Sequence, residues 1–275
     1  MKIALPMPCL MGVLNVTPDS FSDGGDFFSV EKAIARGLEM VSEGAAILDI
    51  GGESTGPESQ EVSLEEELKR VIPVIRGLRE KNPEIMISID TWKAEVARQA
   101  LEAGATMVND VTALRGDLEM AKVVAKANVP VILMYSKDAT ARTTSKAVDY
   151  EDVIQTIRDF LAARVTVAEA TGIRRENIWI DPGMGAFVSK KGCYSLEILR
   201  RLEELKTLGL PIVVGASRKG FIGEFCGGNG PKDRLEGSLA AATIALLNGA
   251  SVIRAHDVKE HARVLKLVGA GLGIY

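Results

Sequence analysis

Asp90, Asn109 and Asp181 each follow a short apolar run in this 275-residue sequence, and each presents a carboxylate or amide acceptor. Acceptors of that kind grip a flat heterocycle with adjacent N–H donors. Lys219, Arg254 and His256 stand behind two later runs and supply donors and positive charge, suited to a phosphate or pyrophosphate. Behind the first run, residues 15–25 read Asn-Val-Thr-Pro-Asp-Ser-Phe-Ser-Asp-Gly-Gly, dense in hydroxyls and carboxylates. Asn15 and Asp19 within it are oxygen ligands fit for Mg2+, which usually travels with such phosphates.

Each of these groups also has a plainer reading. A lone Asp behind a strand is most often the N-cap of the next helix; that suits Asp90 taken alone and Asp257 better still. Arg254 by itself reads as a salt-bridging arginine, and His256 as a cap or buried group. His261 lies inside the last helical pattern and reads as structural. Capping does not account for polar ends on nearly all of the runs. Besides the groups above, these ends include Asp49 leading into Gly51-Gly52-Glu53-Ser54-Thr55, then Met134-Tyr135-Ser136, and Ser217-Arg218-Lys219. Convergence on one mouth does account for them.

A mouth needs elements to build it. Apolar runs at Leu10–Leu14, Ala46–Ile50, Ile85–Ile89, Met107–Val108, Val129–Met134, Ile178–Ile180, Ile212–Val214 and Val252–Ile253 alternate with helical patterns such as Val30–Val41, Leu64–Leu78 and Val153–Val167. Eight such units without a linker predict one domain over residues 1–275, an α/β fold of the closed (β/α)8 TIM-barrel type, which typically needs about 250 residues. Catalytic groups then belong on the loops at the C-terminal ends of the strands. A doubly wound open sheet is the alternative, but no GxGxxG follows the first run. The phrases Glu43-Gly44-Ala45, Ala103-Gly104-Ala105 and Asn248-Gly249-Ala250 place glycine just past a helix end, the usual C′ position.

Composition narrows the partners. With 47% hydrophobic and 25% charged residues and a net charge of -4, the chain has no basic excess to neutralise nucleic acid, though a local cationic cluster suffices for a small phosphate. No run approaches the roughly 20 apolar residues that cross a bilayer. The segment Met1 to Cys9, broken by Pro6 and Pro8, does not read as a signal peptide. Three cysteines without metal-ligand spacing, Cys9, Cys193 and Cys226, fit a reducing compartment, so the expected location is cytoplasmic.

At these residues the sequence resembles the dihydropteroate synthase family. The resemblance runs in order through residues 15–25, Asp49-Ile50-Gly51-Gly52-Glu53-Ser54-Thr55, Ser88-Ile89-Asp90-Thr91, Asn109-Asp110, Asp181-Pro182-Gly183, Ser217-Arg218-Lys219 and Arg254-Ala255-His256-Asp257. It implies a transferase that joins 6-hydroxymethyl-7,8-dihydropterin diphosphate to 4-aminobenzoate in folate biosynthesis, releasing pyrophosphate. On that basis Asp90, Asn109, Met134, Asp181 and Lys219 are expected to bind the pterin. Asn15, Arg254 and His256 would take the pyrophosphate, with Mg2+ at Asn15. Thr55, Ala186, Phe187 and Ser217 are assigned to 4-aminobenzoate, and Asp19, Lys219, Arg254 and His256 to catalysis by a dissociative path. The loops around Asp19 and Thr55 would close over the site, and a homodimer is implied.

Two positions depart from the family pattern. Gly56 stands where an arginine usually follows Ser54-Thr55, and Ala186 stands where a phenylalanine usually follows Asp181-Pro182-Gly183-Met184-Gly185. Arg218, Lys219 or a residue of 137–146 is a candidate to compensate for Gly56, and Phe187 for the ring at 186. Both changes touch the aminobenzoate side, and the Met184-Gly185 stretch is similar to the sulfonamide-insensitive branch, so weaker sulfonamide inhibition is expected. Two rival readings stay open: a pterin-binding methyltransferase-type barrel, and a pterin-binding homologue without turnover.

Overall fold

Inward-facing side chains decide what this fold can do, because every second residue of a barrel strand points to the axis. The computed structural model describes residues 7–17, 25–57, 59–227 and 230–273. These residues form eight parallel strands: β1 (Cys9–Asn15), β2 (Ile47–Gly51), β3 (Met86–Asp90), β4 (Met107–Asp110), β5 (Val131–Met134), β6 (Ile178–Asp181), β7 (Val213–Val214) and β8 (Val252–Ala255). The ladder runs β6-β5-β4-β3-β2-β1-β8-β7, and a parallel bridge between Ile180 and Ile212 joins its ends into a barrel.

One cluster of apolar side chains, with a member from each strand, fills the lower barrel: Cys9, Met11, Ile47, Met86, Met107, Ile132, Trp179, Val213 and Val252. Two residues further along the strands come Asp49, Ser88, Asn109, Met134, Asp181 and Arg254, on the same inward side. The alternation that builds the floor therefore delivers a polar layer directly above it. This is also why most strands run past their apolar runs, β3 to Asp90, β4 to Asp110, β6 to Asp181 and β8 to Ala255. The ladder continues where hydrophobicity stops, because the inward face has reached the site.

The helices α1 (Gly25–Glu43), α2 (Leu64–Lys81), α3 (Ala94–Ala103), α4 (Met120–Ala127), α5 (Val153–Ala170), α6 (Cys193–Arg200), α7 (Gly220–Cys226), α8 (Leu235–Leu247) and α9 (Val258–Gly271) follow the strands. A second, larger apolar cluster lies between them and the outward faces of the strands. Ser63 caps α2, its Oγ accepting from the Glu66 N–H at 3.2 Å, with Glu65, Glu66 and Glu67 in the first turn to complement the helix dipole. Gly44, Gly104 and Gly249 take left-handed φ values of 116°, 116° and 98°, as their helix-ending phrases predict. Among the described residues no helix is long and apolar enough to cross a membrane.

Candidate active site at the barrel mouth

A cavity of about 520 Å³ opens at the C-terminal ends of the strands. It is lined by Asn15, Thr55, Asp90, Asn109, Met134, Asp181, Phe187, Ser217, Lys219, Arg254 and His256, so the acceptors and the donors singled out in the sequence share one pocket. Ala186 is not on its wall; the 3-10 turn over Gly185–Phe187 presents Phe187 instead, and the Ala186 carbonyl is taken up by Lys137 and Thr143. Asp19 lies outside the described residues.

Arg254 is the hub. Its Nε donates to Asp49 Oδ2 and its Nη2 to Asp90 Oδ2, each at 2.6 Å, and Asn109 Nδ2 donates to the same Asp49 oxygen at 3.0 Å. Asp90 therefore holds the arginine and does not cap α3. Burial opposes the Arg254 charge, but Asp49 and Asp90 outweigh it and raise its pKa. Burial, then the Asp49 charge, push the Asp90 carboxyl above the ordinary range, against the pull of Arg254. Asp49, fully buried in β2, holds Arg254 in place, a role that sequence reasoning did not give it. Its signal was a carboxylate in the middle of an apolar run, where only a buried cation or amide makes it tolerable.

The other wall is set by Gly183 and Lys219. Asp181 Oδ1 accepts the Gly183 N–H at 2.7 Å. Gly183 has φ 67°, and a Cβ there would fall 2.4 Å from the Tyr135 carbonyl oxygen, so only glycine permits this turn. Burial raises the Asp181 carboxyl to about 6. Lys219 Nζ lies 4.6 Å from the centre of the Phe187 ring. Burial and then Arg254 lower its pKa to about 8. His256 departs from the cationic role expected of it: burial, then Arg254, Arg218 and Lys219, push its imidazole down to about 3. It is neutral at physiological pH, with Nδ1 3.2 Å from Ser217 Oγ.

Arg218 holds the loop that carries Ser217 and Lys219. Its backbone is left-handed, φ 61°, which costs about 1–2 kcal/mol for a residue with a Cβ. Three bonds offset this: its N–H donates to Ser238 Oγ at 3.0 Å, its carbonyl accepts from Arg234 Nη1 at 2.9 Å, and its Nε donates to Asp257 Oδ2 at 3.0 Å. Asp257 occupies the N-cap position of α9 but makes no capping bond; its carboxylate serves Arg218. His261 is buried, its Nδ1 2.7 Å from the Asp257 carbonyl oxygen, a structural position.

A pH dependence follows. The Asp181 form that binds ring N–H groups is the carboxylate, and its raised pKa means that this form is lost on the acid side, below about 6. The Lys219 form that donates is the ammonium, and its lowered pKa means loss on the alkaline side, above about 8. The expected kcat/KM profile is a bell between those limits, and in Lys219→Arg the alkaline limb moves beyond pH 9. A flat profile from pH 5 to 9 would contradict these assignments.

Residues 11–256 match the pterin binding enzyme family. The dihydropteroate synthase of Synechocystis sp. is 46% identical over 261 residues, which cover 95% of this chain and 89% of that protein. The chain belongs to the dihydropteroate synthase family. Among solved structures, the dihydropteroate synthase of Xanthomonas albilineans with 4-aminobenzoic acid superposes with a TM-score of 0.90 at 43% identity, covering 97% of this chain and 93% of that one. The Yersinia pestis dihydropteroate synthase in a sulfonamide drug complex gives a TM-score of 0.90 at 37% identity, covering 99% of this chain and 97% of that one.

Proposed function

We infer that this member of the family is a transferase condensing 6-hydroxymethyl-7,8-dihydropterin diphosphate with 4-aminobenzoate to give 7,8-dihydropteroate and pyrophosphate. The observation that carries the reading is the single cavity in which Asp181 and Asn109 stand with Arg254 and Lys219. Asp181, Asn109 and Asp90 take the amino and ring N–H groups of the pterin, and Lys219 donates to a ring acceptor. Asp90 and Asp181 line the cavity, with Asp49 bound behind Arg254, and set an acceptor-rich field beside the ring. That field favours a cation developing on the pterin as the C–O bond to the diphosphate breaks. The path is dissociative, and the aniline nitrogen attacks the carbon afterwards, needing placement more than activation. Among the described residues Arg254 Nη1 has no hydrogen-bond partner once Asp49 and Asp90 are bound, which leaves a donor for the departing anion.

Mg2+ is the expected cofactor. Asn15 is exposed at the end of β1, and among the described residues no group of three acidic, His or Cys side chains is arranged to hold a metal ion. That donor set suits an ion that arrives with the diphosphate and keeps several of its waters. When bound, Mg2+ neutralises charge on the leaving pyrophosphate. Incubating the protein with both substrates, with Mg2+ or with EDTA, and following pyrophosphate and dihydropteroate tests the reading. Product formation that stops with EDTA supports it; no dihydropteroate with Mg2+ present overturns it.

Thr55, Phe187 and Ser217 form the aminobenzoate end, and Gly56 does not supply the guanidinium that the family's usual arginine carries at that position. Among the described residues, a Cβ at position 56 would have only Ser54 Oγ within 4 Å, at 3.7 Å, which leaves room for a side chain there. Restoring one charge-assisted bond changes affinity by about tenfold or more. Gly56→Arg is therefore expected to lower the sulfamethoxazole IC50 about tenfold; an unchanged IC50 removes Gly56 as the cause of any insensitivity.

The working unit is a homodimer in the cytoplasm. Phe225 on α7 and Ile244 and Leu247 on α8 stand 52%, 40% and 56% exposed, and α7 and α8 pack together. Large apolar groups on neighbouring helices are an interface composition. Leu247→Glu is expected to shift the mass seen by light scattering from dimer to monomer; a mass unchanged by Leu247→Glu argues against this face.

A further inference from the structure

We propose that the loop after β5, residues 135–152, is a strap across the barrel mouth, in which Arg142 and Lys137 are positioning residues for the aminobenzoate end of the cavity. The proposal rests on the reading that Thr55 and Phe187 wall that end. Those two walls come from the loops after β2 and β6, which are four places apart in an eight-stranded ring and so stand opposite each other. Three strands separate them in the ladder, and nothing in the ladder sets the gap between their loops.

The strap does. Thr143 touches the backbone of both walls: its N–H donates to the Thr55 carbonyl at 3.1 Å and its Oγ1 to the Ala186 carbonyl at 3.0 Å. Lys137, with only 4% of its side chain exposed, donates to the Ala186 carbonyl at 2.6 Å and the Thr144 carbonyl at 2.7 Å, and pairs with Asp138 at 2.8 Å. Arg142 reaches the opposite wall. Its Nη2 donates to Glu53 Oε1 at 2.8 Å and its Nε to Ser59 Oγ at 3.1 Å, and Ser59 Oγ in turn donates to the Gly56 carbonyl at 2.7 Å. Glu53 is anchored below, its Oε2 accepting from Lys93 Nζ at 2.8 Å and Trp92 Nε1 at 3.2 Å. With no side chain of its own, Gly56 is held through Ser59 and Arg142. Neither Arg142 nor Lys137 lines the cavity, so their effect passes through the walls.

The test is steady-state kinetics of the full chain with both substrates varied, for wild type, Arg142→Ala, Arg142→Lys, Lys137→Met and, as a control, Arg174→Ala at an exposed site remote from the mouth. In Arg142→Ala and Lys137→Met, KM for 4-aminobenzoate is expected to rise about tenfold. In the same variants kcat changes by less than about threefold and KM for the pterin diphosphate by less than about twofold. Arg142→Lys recovers part of the loss, and Arg174→Ala behaves as wild type. Unchanged KM for 4-aminobenzoate, or equal rises in both KM values, overturns the strap. Hydrogen exchange of the ligand-free protein gives a second readout: the amides of residues 54–59 exchange about tenfold faster in Arg142→Ala, and equal rates overturn the proposal. A wild type without synthase activity defeats the functional reading alone, because the exchange experiment still decides the strap.

Discussion

Arg254→Ala is expected to be the most damaging single substitution in the cavity, in stability as well as activity. It leaves Asp49, which is fully buried, and Asp90, which is partly buried, facing one another without their shared cation. Removing one partner of a buried ionic network costs about 3–5 kcal/mol, and the lower end applies because Arg254 keeps some contact with solvent. For a chain of this length that is a fall in Tm of about 6–12 °C. The sign with pH is fixed. Without the guanidinium the Asp90 carboxyl, already raised by burial and by Asp49, is raised further, so the folded state binds more protons and the deficit is smaller at pH 6 than at pH 8. Arg254→Lys restores charge but not the two-pronged fork, and recovers part of the loss. Scanning calorimetry at the two pH values checks this; a Tm within 2 °C of wild type at both would sink the hub assignment.

Asp181→Asn separates function from stability in the opposite way. The amide oxygen still accepts the Gly183 N–H, so the turn survives, while a buried carboxylate without an ion pair among the described residues is removed. Thermal stability is expected to be equal to wild type or slightly higher. Pterin recognition loses two charge-assisted hydrogen bonds, a reduction in kcat/KM for the pterin diphosphate of about 100-fold to 1000-fold. KM for 4-aminobenzoate changes little, and the Asp181 contribution to the acid limb of the pH profile is lost while that of Asp90 remains. A variant that binds pterin within threefold of wild type, by calorimetric titration, would place the recognition of the ring elsewhere.

Much of the site was legible because barrel geometry turns sequence position into spatial position. Reading Asp90, Asn109, Asp181 and Arg254 at the ends of apolar runs was enough to place them on one rim. The role of Asp49 escaped because it lies inside a run, where a residue is normally judged by its neighbours and not by which way it faces. Its partner Arg254 is 205 residues away, and only closure of β8 against β1 brings the two together. A separation of 39 residues likewise hid Arg218–Asp257, so Asp257 read as a cap. Ala186 and Phe187 were distinguishable only once the turn after Gly185 fixed which of them faced inward. The neutral state of His256 depends on burial and on three cations, one from β8 and two from the loop after β7, a sum that no local pattern contains.

One element of the fold shapes how the molecule comes apart. β7 contributes only Val213 and Val214, and its junction with β6 is the lone bridge at Ile180 and Ile212. A ring under thermal stress parts at its thinnest stitch. The first opening therefore falls between the Asp181 and Lys219 arms, and a pterin gripped by both would act as a rivet across the gap. Occupancy by substrate then makes the whole cylinder harder to prise open.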